Sequence, residues 1–315
     1  MIRRGLFPSA EIAARAARRS GREVSASPKE VADLRARSDV DEPARVIVVG
    51  AGAAGLCVAY ELQRKGFEVI VLEADRGHIG GRVRTLRFDQ GRYGEAGAMR
   101  IPADHDLTRF YVAETGLSLR SFVQSNDEAF LRVRGKRVGM KEGEQIRRLF
   151  HLSPSEAGLD EGELWGRAVG SLVSDLSGSE KEDLYSVEPT SWAVKQLDRL
   201  SLHGQLARYG LSAEAIQLLA TTWSLETSLH IALTEHLREE IEGTWVEDFD
   251  EIEGGMDSLA TAMADALKTK VRLASPVVAI EHDENGVAAL VESGGSTERI
   301  ERIGNATALP AGELR

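Results

Sequence analysis

A strand, a glycine turn and a helix succeed one another in the stretch RVIVVGAGAAGLCVAYELQR, from Arg45 to Arg64, and no other feature of the chain constrains its fold as tightly. Val46, Ile47, Val48 and Val49 form a short, wholly apolar, β-branched run, as expected of a parallel strand buried on both faces. Gly50, Gly52 and Gly55 follow at G-x-G-x-x-G spacing. That spacing allows a sharp turn at Gly50, close approach of a pyrophosphate to the backbone at Gly52, and close packing of helix on strand at Gly55. Free N–H groups at Gly52, Ala53 and Ala54 then open the helix as an anion site that needs no basic side chain.

Leu56, Ala59 and Tyr60 recur at helical spacing, and Gly66 supplies a stop before a second strand from Val69 to Leu72. Glu73 ends that strand, 23 residues after Gly50, and Ala74 follows it. An acid at that position accepts both ribose hydroxyls of an adenosine and repels a 2′-phosphate, so the expected ligand is a dinucleotide without that phosphate. Gly80, Gly81 and Arg82 add a second glycine turn, from which backbone and guanidinium can return to the pyrophosphate.

Together these residues resemble the N-terminus of the flavin amine oxidases, whose G-x-G-x-x-G, Glu-Ala and G-G-R signatures match Gly50 to Gly55, Glu73-Ala74 and Gly80 to Arg82, with one residue inserted before Gly80. The resemblance implies FAD as cofactor. It also implies an α/β fold in which a Rossmann-like FAD-binding domain of the GR2 type, with a parallel sheet, carries an inserted, mainly helical substrate lobe.

Composition narrows the classes. The net charge of -11 leaves no basic surplus to displace counterions from phosphates, which argues against a nucleic-acid binder. No apolar run is long enough to span a bilayer. The single cysteine, Cys57, lies near the packing side of the first helix and reads as a buried thiol. Its solitude rules out an intrachain disulfide, and a cytoplasmic location is expected. Met1 to Arg22 is basic and alanine-rich without a secretory core, and reads as a leader or a loosely docked helix; Ser25 to Pro43 reads as a linker.

Further along, Gly97, Ala98, Met99 and Arg100 precede a helix in which Leu107, Phe110, Tyr111 and Glu114 share a face. In the L-amino-acid oxidase branch of the suspected family a similar stretch passes the flavin ring, which implies that Arg100 grips the substrate carboxylate. A planar guanidinium suits that task because its two parallel donors fix the α-carbon. Phe130 to Met140 alternates apolar and basic residues around Gly135, as a hairpin would, with its basic side a solvated face. A helical region follows from Glu142; Ile216, Leu219, Ala220 and Trp223 form one stripe with Ser212 as N-cap. Trp192, Trp223 and Trp245 fall in or beside this lobe. His203, His230 and His236 lack metal-ligand spacing, so no metal is expected. Ser228 and Glu235 are minor candidates for side-chain selection.

The run DEIEGGMDSLATAMADALKTKVRLASPVVAIEH resembles the return of an L-amino-acid oxidase chain to its FAD domain. A helix stripe of Leu259, Ala262, Met263, Ala266 and Leu267 is expected, capped by Asp257 or Ser258. Strands are expected at Val271 to Leu273 and Pro276 to Ile280, and the resemblance implies that the backbone of Val277 meets the adenine. Asn285-Gly286 signals a hairpin between Val277 to Glu281 and Val287 to Val291, with a third strand from Thr297 to Ile303. The family's Leu-Pro turn fits Leu309-Pro310.

The expected organisation is a leader and linker at 1–43, an FAD-binding βαβ segment at 44–100, a substrate lobe at 101–245, a return to the FAD domain at 246–281, and at 282–315 a hairpin and the start of an incomplete substrate-domain sheet. Complete members of the family run further. A second polypeptide supplying the C-terminal half, a fragment and a degraded oxidase all remain open, as does a homo-oligomer. The leading functional expectation is oxidation of a small-molecule L-amino acid to a 2-oxo acid with ammonia and hydrogen peroxide. The alternatives are a catalytically dead or split interaction module and a flavin desaturase or protoporphyrinogen-oxidase-like enzyme.

Overall fold

The computed structural model describes residues 27–36, 45–243, 248–283, 286–293, 295–303 and 309–310. The expectations for Met1 to Arg22, Trp245 and Asn285 lie outside them. In chain order the first elements are α1 (Pro28–Ala36), β1 (Arg45–Val49), α2 (Ala53–Arg64), β2 (Glu68–Leu72), β3 (Thr85–Arg87), β4 (Tyr93–Glu95), β5 (Ile101–Pro102), α3 (Asp106–Glu114) and β6 (Leu119–Ser121). A hairpin of β7 (Phe130–Val133) and β8 (Lys136–Gly139) leads into helices α4 (Gly143–Arg147), α5 (Glu161–Trp165), α6 (Ser171–Asp175), α7 (Gly178–Asp183), α8 (Trp192–Asp198), α9 (Leu202–Tyr209), α10 (Ala213–Thr222) and α11 (Leu233–Glu242). The chain then forms β9 (Phe249–Ile252), α12 (Ser258–Asp265), β10 (Val277–Asp283), β11 (Gly286–Ser293), β12 (Ser296–Ile303) and β13 (Leu309–Pro310).

Two compact units result, divided between Phe122 and Val123 and again ahead of Asp248. In the nucleotide-type unit β1 pairs parallel with β2, Val46 facing Val69 and Val48 facing Val71. On its other edge β1 pairs parallel with β13, Val48 opposite Leu309. The period of two sorts the apolar run onto two faces. Val46, Val48, Val69 and Val71 pack with Leu56, Ala59, Tyr60, Ala260 and Met263 under α2 and α12. Ile47 and Leu72 pack on the opposite side with Ala289, Val291 and Ile300. These last three belong to the antiparallel meander β10-β11-β12, so the small parallel sheet is covered by helices on one side and strands on the other.

A second antiparallel sheet, in the order β5-β9-β6, buries Ile101 and Ile252 with Val112 and Met256. Because β5 and β6 both pair with β9, residues 101–122 belong to the nucleotide-type unit, in contrast to the expected lobe at 101–245. The presumed linker also differs: residues 28–36 form α1, whose Val31 is buried in the core beneath α2. Arg35 of this helix reaches the buried Glu61 of α2 through Nε at 2.9 Å and Nη2 at 2.6 Å, and Tyr111 donates its hydroxyl to the same carboxylate at 3.1 Å. Polar composition suggests a linker, but a buried valine and the long-range ion pairs of Arg35 with Glu61 and Glu114 dock a short helix.

The other unit holds the hairpin and helices α4 to α11. Arg134 and Gly135 take positive φ values of 51° and 76°, the left-handed turn that joins two strands of natural twist. The helical core contains Leu164, Val169, Val194, Leu202, Leu206, Leu218, Leu219, Leu233 and Leu237. Ser212 caps α10 by accepting the Ala215 N–H at 3.2 Å, as its position in the sequence predicts.

Candidate functional site: two glycine turns and the opening of a helix

The Gly50 turn needs a residue tolerant of φ 93°, and Gly50 N–H donates to the Leu72 carbonyl at 2.7 Å, tying the turn to the end of β2. Gly55 sits where a Cβ would stand 2.1 Å from the Gly50 carbonyl oxygen, so only glycine lets α2 come this close to β1. The first turn of α2 has no side-chain cap: Gly52 is its N-cap residue, and Ala53 and Ala54 are exposed. Helix-opening amides without a side-chain acceptor favour an anion, both as donors and through the positive end of the helix dipole.

Glu73 lies beside them, half-buried. Its Oε2 accepts the Ala51 N–H at 2.6 Å, and its Oε1 accepts the Asp75 N–H at 2.8 Å. Each oxygen keeps a lone pair for a further donor. Ala74 is exposed between Glu73 and Asp75. Asp75 in turn accepts the N–H groups of Gly77 and His78, which hold its carboxyl below the usual carboxylate range and fix the loop leading to the second glycine turn.

That turn lies directly on the first. Gly80 N–H donates to the Ala51 carbonyl at 2.7 Å, Gly80 bridges Gly52 in parallel, and a Cβ on Gly81 would come within 3.3 Å of the Gly52 Cα. Gly80 and Gly81 take φ values of 104° and 60°. The exposed Arg82 follows, and its carbonyl accepts the Ala98 N–H at 3.2 Å. A Cβ on Gly97 would stand 1.9 Å from that same carbonyl oxygen, so the Gly97-Ala98-Met99-Arg100 stretch can run this close only because residue 97 is glycine. Met99 is exposed, and the Arg100 guanidinium lies over the Phe249 ring, 4.2 Å from its centroid. Such stacking presets the plane of the guanidinium fork.

The residues singled out in the sequence therefore fall into one connected set from Gly50 to Arg100. Val277 stands slightly apart: its side chain packs with Ile47 and Leu72, and its partner across the meander is Val291. The backbone that meets the acidic end of β2 comes just before it, since Ser275 N–H donates to the Glu73 carbonyl at 2.8 Å and Ala274 N–H to that of Asp75 at 2.9 Å. Residues 271–273 do not form a regular strand. They contribute one bridge, Leu72 to Arg272.

One supporting cluster has no signature in the sequence. Glu95 accepts the Thr85 hydroxyl at 2.8 Å and the Met256 N–H at 3.0 Å, while Asp257 takes both ends of the Arg87 guanidinium at 2.7 and 3.0 Å. Asp257 thus does not cap α12 with its side chain, as expected, because Arg87 and Thr85 claim its oxygens. The cluster holds the Gly254-Gly255 turn, where a Cβ on Gly255 would meet Thr85 at 2.5 Å. Among the described residues no group of His, Cys, Asp and Glu could hold a metal ion, and no helix is long and apolar enough to cross a membrane. His236 packs against Trp165, and Ser228 and Glu235 hydrogen-bond to neighbours in the lobe.

The sequence pattern of the family described as flavin containing amine oxidoreductase matches residues 53–302. The chain belongs to that family. Its cofactor is FAD, and the uncapped helix opening, the facing glycine turns and the acid at the end of β2 are a donor and acceptor set that fits an adenosine diphosphate. Curated relatives include the L-amino-acid oxidases of Gloydius blomhoffii, 33% identical over 80% of this chain and 49% of the relative, and of Vipera ammodytes ammodytes, 34% identical over 80% and 51%. The chain spans about half the length of these relatives. Among solved structures, a putrescine oxidase bound to putrescine superposes with a TM-score of 0.56 at 21% identity, over 82% of this chain and 56% of the other. The cyclohexylamine oxidase of Brevibacterium oxydans gives 0.57 at 23% identity, over 82% and 56%. At such identities the structural likeness speaks for the fold alone.

Proposed function

We propose that this chain acts in the FAD-dependent oxidation of L-amino acids, yielding a 2-oxo acid, ammonia and hydrogen peroxide. FAD, when bound, supplies the chemistry by accepting a hydride equivalent from the substrate's α-carbon. The amides of Gly52, Ala53 and Ala54 hold the pyrophosphate, with Gly80, Gly81 and Arg82 at its side, and Glu73 holds the ribose. Gly97 to Met99 run beside the Arg82 turn, and Val277 lies at the adenine end. Arg100 binds the substrate carboxylate and so orients the α-carbon.

The observation that carries this reading is the placement of Arg100: its stretch is hydrogen-bonded to the G-G-R turn, and its guanidinium plane is already set by Phe249. The identity to L-amino-acid oxidases supports the same substrate class. Family likeness alone would serve plain amines equally well, whereas a preset arginine fork suits a carboxylate.

The test uses the chain saturated with FAD and follows bleaching of flavin absorbance under anaerobic conditions. L-Amino acids should bleach it, and Arg100→Ala should lower kcat/KM by roughly 100-fold, the worth of a charge-assisted pair. Amines lacking the carboxylate should lose no more than a few-fold in the same variant. Equal losses on both substrate types, or none on either, would remove Arg100 from carboxylate binding.

A further inference from the structure

The β7-β8 hairpin turns its apolar side inward and a basic side outward. Leu131, Val133 and Val138 pack on the helical core, while Phe130, Arg132 and Arg137 stand on the exposed face. The register sets Arg132 directly opposite Arg137. Like charges at facing positions destabilise a strand pair, and a two-stranded ribbon has little stability to spare.

A shortage of acids is not the reason. The chain carries 50 Asp and Glu against 39 Lys and Arg. Neighbouring cations find carboxylates: Arg134 pairs with Glu214 at 2.8 Å, Arg148 with Glu144 at 2.5 Å, and Lys141 with Glu128. Arg132 and Arg137 make no such pair among the described residues. Arg137 instead stacks over Phe130, 3.7 Å from the ring centroid, which restrains its fork on the face that also carries Arg132.

We propose that this face binds a dianionic oxyanion of the phosphate class, clamped between the guanidinium groups of Arg132 and Arg137. Charge selects the class. A carboxylate offsets one of the two positive charges and offers two oxygens, whereas a phosphate monoester carries about -1.5 to -2 at neutral pH and offers three oxygens to the two forks. The hairpin's unfavourable cross-strand pair is then relieved by the ligand. The site shares no residue with the FAD-type set and does not depend on the function proposed above.

The experiment takes the full chain saturated with FAD, so that the helix opening at Gly52 is filled. Thermal melting is followed with inorganic phosphate, phenyl phosphate and acetate at matched ionic strength. Phosphate and phenyl phosphate should raise Tm and saturate in the millimolar range, and acetate should not. Arg132→Gln and Arg137→Gln should weaken the phosphate response at least tenfold while melting no lower than wild type in chloride, because each removes the repulsion. Arg148→Gln, already ion-paired and outside the hairpin, should leave the response intact. A phosphate response that survives both hairpin variants, or one equalled by acetate, would overturn the site. A phosphoserine peptide binding more than tenfold tighter than free phosphate would identify a phosphorylated chain as the source; equal affinities would identify the free anion.

Discussion

The carboxylate of Glu73 accepts the backbone N–H of Ala51 at 2.6 Å, joining the acid that ends β2 to the glycine turn that ends β1. Two strands that pair in parallel are thereby locked together at their C-terminal ends, where a ligand of an open α/β sheet is expected.

Glu73→Gln should therefore act twice. It removes the charge behind the bonds to Ala51 and Asp75, and it weakens the ribose contact. We expect FAD affinity to fall by roughly 10- to 100-fold, in line with about 1.5–3 kcal/mol for a charged hydrogen bond. Titration of flavin fluorescence on the purified chain measures it.

Gly55 and Gly77 make a matched pair of probes. Alanine at 55 would press its Cβ to 2.1 Å from the Gly50 oxygen and force α2 away from β1, at about 3 kcal/mol or more. Alanine at 77 meets nothing within 4 Å and should change stability by no more than about 0.5 kcal/mol. Chemical denaturation of the two variants separates the steric argument from a general aversion to losing glycine in this segment.

The Arg35–Glu61 pair predicts an acid limb. Burial alone would raise the Glu61 pKa, but the Arg35 hydrogen bond and charge, with Tyr111 adding to them, hold it below the usual carboxylate range. A depressed folded-state pKa gives stability that is complete above the unfolded value of about 4.5 and is lost as pH falls through the folded value. Arg35→Ala should cost roughly 2–3 kcal/mol at pH 7, since it takes the cation from a buried carboxylate, and the gap to wild type should close as pH falls below about 4.5. Denaturation at a series of pH values would show parallel curves if the pair were irrelevant.

Glu240 predicts the opposite slope. It is 5% exposed, and burial pushes its carboxyl up, only partly offset by the Trp165 N–H that it accepts at 2.9 Å. A raised carboxyl pKa means the folded state holds the proton longer, so stability falls as pH rises from about 4.5 through the folded value. Glu242, also raised by burial, adds to the same trend. Glu240→Gln keeps an acceptor for Trp165 and should gain on the order of 1 kcal/mol at pH 8, with no gain at pH 4. A variant no more stable than wild type at pH 8 would show that the carboxylate is not penalised there.

What could be read without coordinates was local. The strand, turn and helix from Arg45 to Arg64 were legible because a continuous β-branched run, three glycines and an apolar stripe each act within a few residues, and the acid at 73 closes the same short unit. The hairpin around Gly135, the cap at Ser212 and the family itself followed from equally short patterns. The docking of α1, the membership of residues 101–122 in the nucleotide-type unit and the binding of Arg87 by Asp257 were not legible, because each depends on groups brought together from distant parts of the chain. Amino-acid order by itself determined where backbone amides would open toward an anion, since that is a matter of turn sterics and helix ends. Only the tertiary structure decided which charged side chains became buried partners and which, like Arg132 and Arg137, were left facing one another, because burial and register exist only once the strands and helices have packed.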